Sequence, residues 1–465
     1  MINSQNDVIA AIATPLGEGG ISVIRVSGGG AIEIVDRKFN GQHPLATAVS
    51  HTAHFGHIHN DNNEIIDQVV SIVYRTPHSY TGDDTVEICC HGGMYLTGKV
   101  LEEMLRAGAR MAEPGEFTKR SFLNGKMDLS QAEAVANLIH AKTEFSYRTS
   151  LQQLQGKLSS HIKGLRENLI TICGLLELEL DFSEEGIELT DKKLIIEKID
   201  SIISSLTAML QNYQVGKISR EGVKVVITGK PNVGKSSIIN NLLQENRAIV
   251  TEIPGTTRDI IQENLNIGGV LFTITDTAGL RTTNDIIEYA GITKAMKEIS
   301  NSDLILFVVD LSETIDDDDK KIFDEIIHSN RTAHLVVVGN KLDIEKVSNQ
   351  NDLNSLTRGA SFIKCSAKTG QGIDLLKNEM LAATTGNDIS AAEKSVSITD
   401  IRHKTSLEKA VGNLVRSKED ISAGKSNEFA SIGLRSAIDD LGEIIGAVTT
   451  DDLLDSIFSK FCIGK

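Results

Sequence analysis

With 465 residues the chain is longer than one hydrophobic core usually serves, so two or three domains are expected before any motif is read. Its composition, 40% hydrophobic and 24% charged, is that of a water-soluble protein, and no apolar run approaches the roughly 20 residues of a membrane-spanning helix. A formal charge of −16 speaks against a broad basic nucleic-acid surface, while leaving room for a local patch.

The N-terminal stretch has neither a basic start nor a long apolar core, so no secretory or transit signal is read and the cytosol is the expected compartment. The first 125 or so residues read as mixed α and β. Strands are expected over 8–13, 21–26, 51–59, 65–74 and 85–91, with helices over 31–39 and 95–106. The run Asn60-Asp61-Asn62-Asn63 separates two of the strands as a hairpin turn would. His57 and His59 share one strand face, but no carboxylate pair or cysteine completes a metal-ligand set, so solvent-facing histidines are the better account. The adjacent Cys89 and Cys90 would point to opposite faces of their strand, and the five cysteines form no disulfide framework or zinc spacing.

From Asp128 the texture changes. Ser130 and Glu133 form a capping-box pattern, and apolar residues then recur at helical spacing through Leu151, Leu154, Leu158, Ile162, Leu165 and Leu169. After a polar break over 183–190, a second helix carries Leu194, Ile195, Ile199, Ile202, Leu206 and Met209 on one face and is expected to end before Gly216. Residues 223–380 alternate short apolar strands (223–228, 272–276, 304–310, 335–339) with helical stretches, the signature of a doubly wound α/β sheet. Helical patterns return from 396 onward, so the α/β unit reads as inserted between two halves of one α-helical domain. The fold class is therefore multidomain: an α+β unit over 1–125, helical parts over 126–219 and 382–465, and an inserted α/β domain over 220–381. The run Asp316-Asp317-Asp318-Asp319 lacks EF-hand spacing and reads as a solvated helix start.

The segment Gly229-Lys230-Pro231-Asn232-Val233-Gly234-Lys235-Ser236 matches G-x-x-x-x-G-K-[ST], follows an expected strand and opens a helical stretch. Its glycines let backbone N–H groups close around phosphate oxygens. Lys235 reaches the β and γ phosphates, Ser236 offers a magnesium ligand, and Ser237 follows in the first helical turn. Three further signals arrive in order: Asp276-Thr277-Ala278-Gly279 at a strand end, Asn340-Lys341-Leu342-Asp343 after another strand, and Ser366-Ala367-Lys368 beyond it. Asp276 would hold magnesium through its water shell, and the Gly279 amide can face the γ phosphate. The Asp343 carboxylate can accept from both N1–H and the 2-amino group of guanine, which adenine cannot present, so GTP is expected rather than ATP. Between the phosphate loop and Asp276 lies Ala248-Ile249-Val250-Thr251-Glu252-Ile253-Pro254-Gly255-Thr256-Thr257-Arg258-Asp259, where a first switch belongs; one of Thr256 and Thr257 should bind magnesium. Leu280 stands where many signalling GTPases place the glutamine that orients water. Arg281, Asp285 and Glu288 are the candidates to replace it, and Arg258 and Arg281 the candidates for a catalytic arginine.

These motifs (GKPNVGKSS, IPGTTRD, DTAGLR, NKLD and SAK), together with IATPLGEGGISVIRVSG, SYTGDDTVEICCHGG, PGEFTKRSFLNGKMDLSQAEAV and the terminal CIGK, are those of the MnmE (TrmE) tRNA-modification GTPases, which the chain resembles over essentially its whole length. The resemblance implies an N-terminal tetrahydrofolate-binding domain that forms a homodimer, a helical domain, and a GTPase domain inserted into it. It implies work with the FAD-dependent partner MnmG (GidA), in a heterotetrameric or larger complex, to install a carboxymethylaminomethyl-type group at C5 of the tRNA wobble uridine U34. A one-carbon unit from 5-formyltetrahydrofolate or another tetrahydrofolate derivative is the implied methylene source. Residue by residue, Asn232, Thr251, Ile253 and Thr256 resemble the family's potassium site. Thr257 then becomes the magnesium threonine, and Glu288 matches the family's water-positioning acid. Arg25, Glu87, Lys126 and Lys465 match the folate-binding positions, and Cys462 lies in the terminal motif. The alternative reading is a GTP-switched RNA-binding or ribosome-assembly factor, which usually appends a basic RNA module that this acidic chain lacks.

Overall fold

The computed structural model describes residues 7–181, 191–246, 262–276, 297–329, 332–344, 357, 359–385 and 397–465. Their contacts divide into two compact units: residues 1–136 with 441–465, and residues 137–440.

The first unit is built on a seven-stranded sheet. In chain order its elements are β1 (Ile9–Ile12), β2 (Gly19–Ser27), helix α1 (Ala31–Asp36), β3 (Phe39–Gly41), β4 (Thr52–His59), β5 (Ile65–Tyr74), β6 (Thr85–Gly92), α2 (Met94–Arg106), β7 (Arg110–Met111) and α3 (Glu116–Leu123), with α4 (Leu129–His140) beginning here. The spatial order β3-β4-β5-β6-β2-β1-β7 is antiparallel except for the short β7, which runs parallel to β1. One face is apolar because alternate residues of the strands, among them Ile24, Val26, Val69, Val73, Val86 and Ile88, point the same way. That face is covered by Ile32 and Val35 of α1 and by Val100, Leu101 and Met104 of α2. The expected strands all form. The start of α4 lies earlier than the sequence pattern suggested. The Asp128 carboxylate accepts from Gln131 N–H (3.1 Å) while Asp128 N–H donates to the Gln131 side chain (3.0 Å), so the capping box is Asp128/Gln131 rather than Ser130/Glu133. The C-terminal residues belong to this unit: Leu454 and Phe458 of the last helix, and Phe461, pack on Leu129 and Ala132. A side chain at Gly464 (φ 94°) would strike the Ile12 carbonyl at 2.2 Å, so the terminal turn must pass this close to β1 with glycine there.

In the second unit α5 (Glu144–Leu154), α6 (Lys157–Asp181), α7 (Lys192–Gln211) and α8 (Tyr213–Glu221) precede a six-stranded sheet. The long helical region expected from Asp128 is three helices, α4, α5 and α6, the last two separated where Gly156 adopts φ 81°. Helix α7 ends at Gln211, before Gly216 as expected; Gly216 lies inside the next helix, α8, where a Cβ would stand 2.1 Å from the Ile398 carbonyl oxygen. The sheet holds β8 (Val223–Thr228), β9 (Gln262–Ile267), β10 (Val270–Asp276), β11 (Leu304–Asp310), β12 (His334–Asn340) and β13 (Ser361–Lys364), with α9 (Lys235–Asn246) after β8, α10 (Asp317–Ser329) after β11 and α11 (Ile373–Thr385) after β13. Its order is β13-β12-β11-β8-β10-β9, parallel except for the edge strand β9. Strands β8, β11 and β12 are buried nearly end to end, as strands with both faces covered must be. Helices α12 (Ile401–Ser422) and α13 (Asn427–Ile445) return the chain to the helical layer, and α14 (Asp451–Phe458) is the last helix named above. Among the described residues no helix is long and apolar enough to cross a membrane.

Candidate functional site

Parallel strands present their carboxyl ends on one edge, where β8, β10, β11 and β12 deliver the chain into loops. At the end of β8 the first glycine, Gly229 (φ 140°), leaves no room for a side chain: a Cβ would meet the Val308 carbonyl at 2.2 Å. Asn232 takes the left-handed conformation (φ 62°) and Gly234 φ 96°, after which α9 starts at Lys235. The loop thus curls directly into the N-terminus of α9, the backbone arrangement that cradles phosphate. Lys235 is buried, and its Nζ donates to the carbonyls of Gly229 (3.0 Å) and Lys230 (2.7 Å), folded back across the loop. Ser236 and Ser237 are exposed in the first turn of α9, and Asp276 ends β10 in register with Ile227 of β8.

Asn340, at the end of β12, is almost wholly buried and joins three segments. Its Nδ2 donates to the Val233 carbonyl (2.8 Å), its Oδ1 accepts from Ala367 N–H (3.0 Å), and its own carbonyl accepts from Leu311 N–H (2.9 Å). The side-chain amide thereby ties the phosphate loop to the Ser366-Ala367-Lys368 segment. Asn241 of α9 also donates to the Ala367 carbonyl. Lys341 adopts φ 66° and pairs with Asp310. Burial alone would raise the Asp310 carboxyl, yet the Lys341 ammonium and Ser312 hold it below its ordinary range. Asp343 is exposed, and its Oδ1 accepts from the buried Ser366 hydroxyl (2.7 Å), which in turn accepts from Thr369 N–H (3.2 Å). The Asp343 carboxylate is thus oriented from behind while still facing solvent. Asn241 and Asp310 were not singled out from sequence as contacts of this site, since neither belongs to a motif.

Thr251, Glu252, Ile253, Pro254, Gly255, Thr256, Thr257, Arg258, Thr277, Ala278, Gly279, Arg281, Asp285 and Glu288 lie outside the described residues.

A second constellation sits on the sheet of the first unit. Arg25 of β2 and Glu87 of β6 face each other in register, and the guanidinium donates twice to Glu87 Oε1 (2.9 and 2.7 Å). It also donates to the Gly464 carbonyl (3.3 Å) and lies 5.1 Å from the Tyr80 ring and 5.5 Å from the Phe117 ring. Phe117 is held there by α3, whose Glu116 carboxylate binds Arg110 and Arg120. Burial, reinforced by Arg25, lowers the Lys465 ammonium below the ordinary lysine range, with Glu87 opposing. Arg25 and Glu87 are thus paired, and Lys465 directly follows the Gly464 carbonyl that Arg25 binds. Lys126 donates instead to the Pro77 carbonyl (2.9 Å), in the loop that also supplies Tyr80. The two aromatic rings were missed from sequence because nothing in the spacing of Tyr80 and Phe117 ties them to Arg25. Cys462 is exposed.

A phosphate-cradling loop on a six-stranded parallel-rich sheet, with an Asn-Lys-x-Asp segment braced against it, defines the P-loop domain class that binds guanine nucleotides. Two family models match this chain: the TrmE N-terminal domain over residues 8–126 and the MnmE helical domain over 129–462. The chain belongs to the MnmE family. It is 45% identical over 98% of its length to the tRNA modification GTPase MnmE of Aquifex aeolicus, covering 99% of that protein. It is 43% identical to the protein of that name from Carboxydothermus hydrogenoformans, over 99% of both chains. Against the one from Chlorobaculum tepidum it is also 43% identical, over 98% of this chain and 97% of the other.

Proposed function

We propose that this protein hydrolyses GTP in a tRNA-modifying complex of the cytosol, and that its cycle serves addition of a carboxymethylaminomethyl-type group at C5 of U34. The observation that carries the reading is the buried Asn340, which braces the phosphate loop and the Ser366-Ala367-Lys368 segment that backs Asp343. The loop amides and Lys235 bind phosphates, and the oriented Asp343 accepts from both guanine donors.

The hydroxyl of Ser236 and the carboxylate of Asp276 are hard oxygen donors suited to magnesium, with Thr257 a third. The Asn232 side-chain amide, exposed on a loop residue in the left-handed region, suits potassium, joined by Thr251, Ile253 and Thr256. When bound, the two cations would neutralise charge on the phosphates. Glu288 positions the attacking water. Glu288→Ala is expected to leave GTP affinity within about threefold while steady-state hydrolysis falls by about two orders of magnitude or more, as loss of a water-positioning group does. An unchanged turnover number would remove Glu288 from the mechanism.

The division into 1–125, 126–219, 220–381 and 382–465 follows the same reading, with the C-terminal residues completing a folate site on the N-terminal domain. Arg25, near two aromatic rings and joined to Glu87, is chemically suited to a ligand with a conjugated ring and an anionic tail, as a tetrahydrofolate derivative has. Lys465 and Lys126 add cationic groups for the tail. A homodimer and the FAD-dependent partner MnmG complete the complex that acts on tRNA.

A further inference from the structure

Lys230, the second residue of the phosphate loop, makes an attachment that its motif does not require. Its ammonium reaches Asp316 (2.7 Å) and Asp319 (2.9 Å) at the start of α10, with Lys230 23% exposed and Asp319 only 6%. The helix start is itself a reciprocal cap: Asp316 Oδ1 accepts from Asp318 N–H (3.0 Å) and Asp319 N–H (3.1 Å), while Asp316 N–H donates to Asp319 Oδ2 (3.2 Å). The acidic run read from sequence as a solvated helix start is thus partly a buried ion-pair socket. Asp319 Oδ1 is buried with no hydrogen-bond partner among the described residues; burial raises this carboxyl above its ordinary range, and the Lys230 ammonium, with Asp316 N–H, on its other oxygen offsets part of that cost. The carbonyl of the same Lys230 accepts from Lys235 Nζ (2.7 Å). One residue therefore joins the helix start to the carbonyl on which the phosphate-binding lysine rests. Gly229 beside it is pressed onto Val308 of β11, the strand that leads into α10.

We propose that Lys230 is a positioning residue for nucleotide binding, pinning the phosphate loop to α10 through Asp316 and Asp319 so that the loop keeps its phosphate-cradling shape. The inference rests on the guanine-nucleotide reading of the site. Because it prepares the empty loop, it acts on GTP and GDP alike and on binding rather than on the chemical step.

The test is titration of the full chain with fluorescent GTP and GDP analogues, alongside steady-state hydrolysis. Lys230→Met is expected to weaken both nucleotides about tenfold, raise KM by a similar factor and leave kcat at saturation within about twofold. Lys230→Arg should restore affinity, which a purely volumetric role would not predict. Asp319→Asn gives a second variant should Lys230→Met fold poorly, with the same direction expected. The double variant Lys230→Met with Asp319→Asn should lose no more than either single change, the mark of a shared contact. Wild-type protein that binds GTP, together with Lys230→Met affinity unchanged or losses that simply add, would overturn the clamp. Wild-type protein that binds no GTP would instead overturn the site reading on which it rests.

Discussion

Asn340→Ala is expected to weaken GTP binding by about two orders of magnitude, because it removes the brace between the phosphate loop and the Ser366-Ala367-Lys368 segment. The change deletes two side-chain hydrogen bonds at a residue 2% exposed and strands the Val233 carbonyl and the Ala367 N–H in the interior. Each orphaned buried group costs about 1–3 kcal/mol, so the pair reaches roughly 3 kcal/mol, close to a hundredfold in an equilibrium constant. The cost falls on the folded loop geometry, so GDP should be lost in the same proportion and unfolding of the GTPase domain should come at lower temperature. Equilibrium titration with both nucleotides reads this directly. Affinities within about threefold of wild type would mean the brace is not what shapes the loop.

The second large effect concerns the base. Asp343→Asn replaces an acceptor-only carboxylate by an amide that presents one acceptor and one donor. Hydrogen bonds to a charged group are worth about 1.5–3 kcal/mol each, and this substitution compromises two of them to guanine. GTP affinity should fall by about a hundredfold or more, while xanthosine triphosphate, whose C2 oxygen accepts where guanine donates, should gain. The amide oxygen can still accept from Ser366, so the loop itself should survive. Unchanged preference for GTP over xanthosine triphosphate would contradict the assignment of Asp343 to base recognition.

Much of the nucleotide site was legible because its chemistry is written in short spacings: a loop that must curl needs Gly229 and Gly234 at fixed distance from Lys235, and those positions prove to have left-handed or otherwise glycine-favouring dihedrals. What the motif does not display is who holds the loop from outside. Asn340 stands more than a hundred residues from Val233, and Lys230 nearly as far from Asp316, so both contacts are products of strand order rather than of spacing. Strand β9 was missed for a related reason. As an edge strand paired only with β10 it carries the polar sequence Gln-Glu-Asn-Leu-Asn-Ile, with few residues facing the core. The helix carrying Leu194 to Met209 ends at Gln211, before Gly216 as expected, but α8, which follows at once and holds Gly216 close to the Ile398 carbonyl, was not read, nor was the break at Gly156. In the first unit the Arg25–Glu87 pair was a cross-strand register that sequence alone left looking like surface charge, and the rings of Tyr80 and Phe117 became visible only once the strands and α3 were assembled.

The most direct test is steady-state phosphate release from GTP by the full chain, with magnesium throughout and with potassium or sodium at matched ionic strength. The account predicts turnover in potassium that falls at least tenfold in sodium, with a cation at Asn232 supplying the charge that a catalytic arginine gives elsewhere. Equal rates in the two salts would contradict the cation site, and no release from GTP in either would contradict the account as a whole.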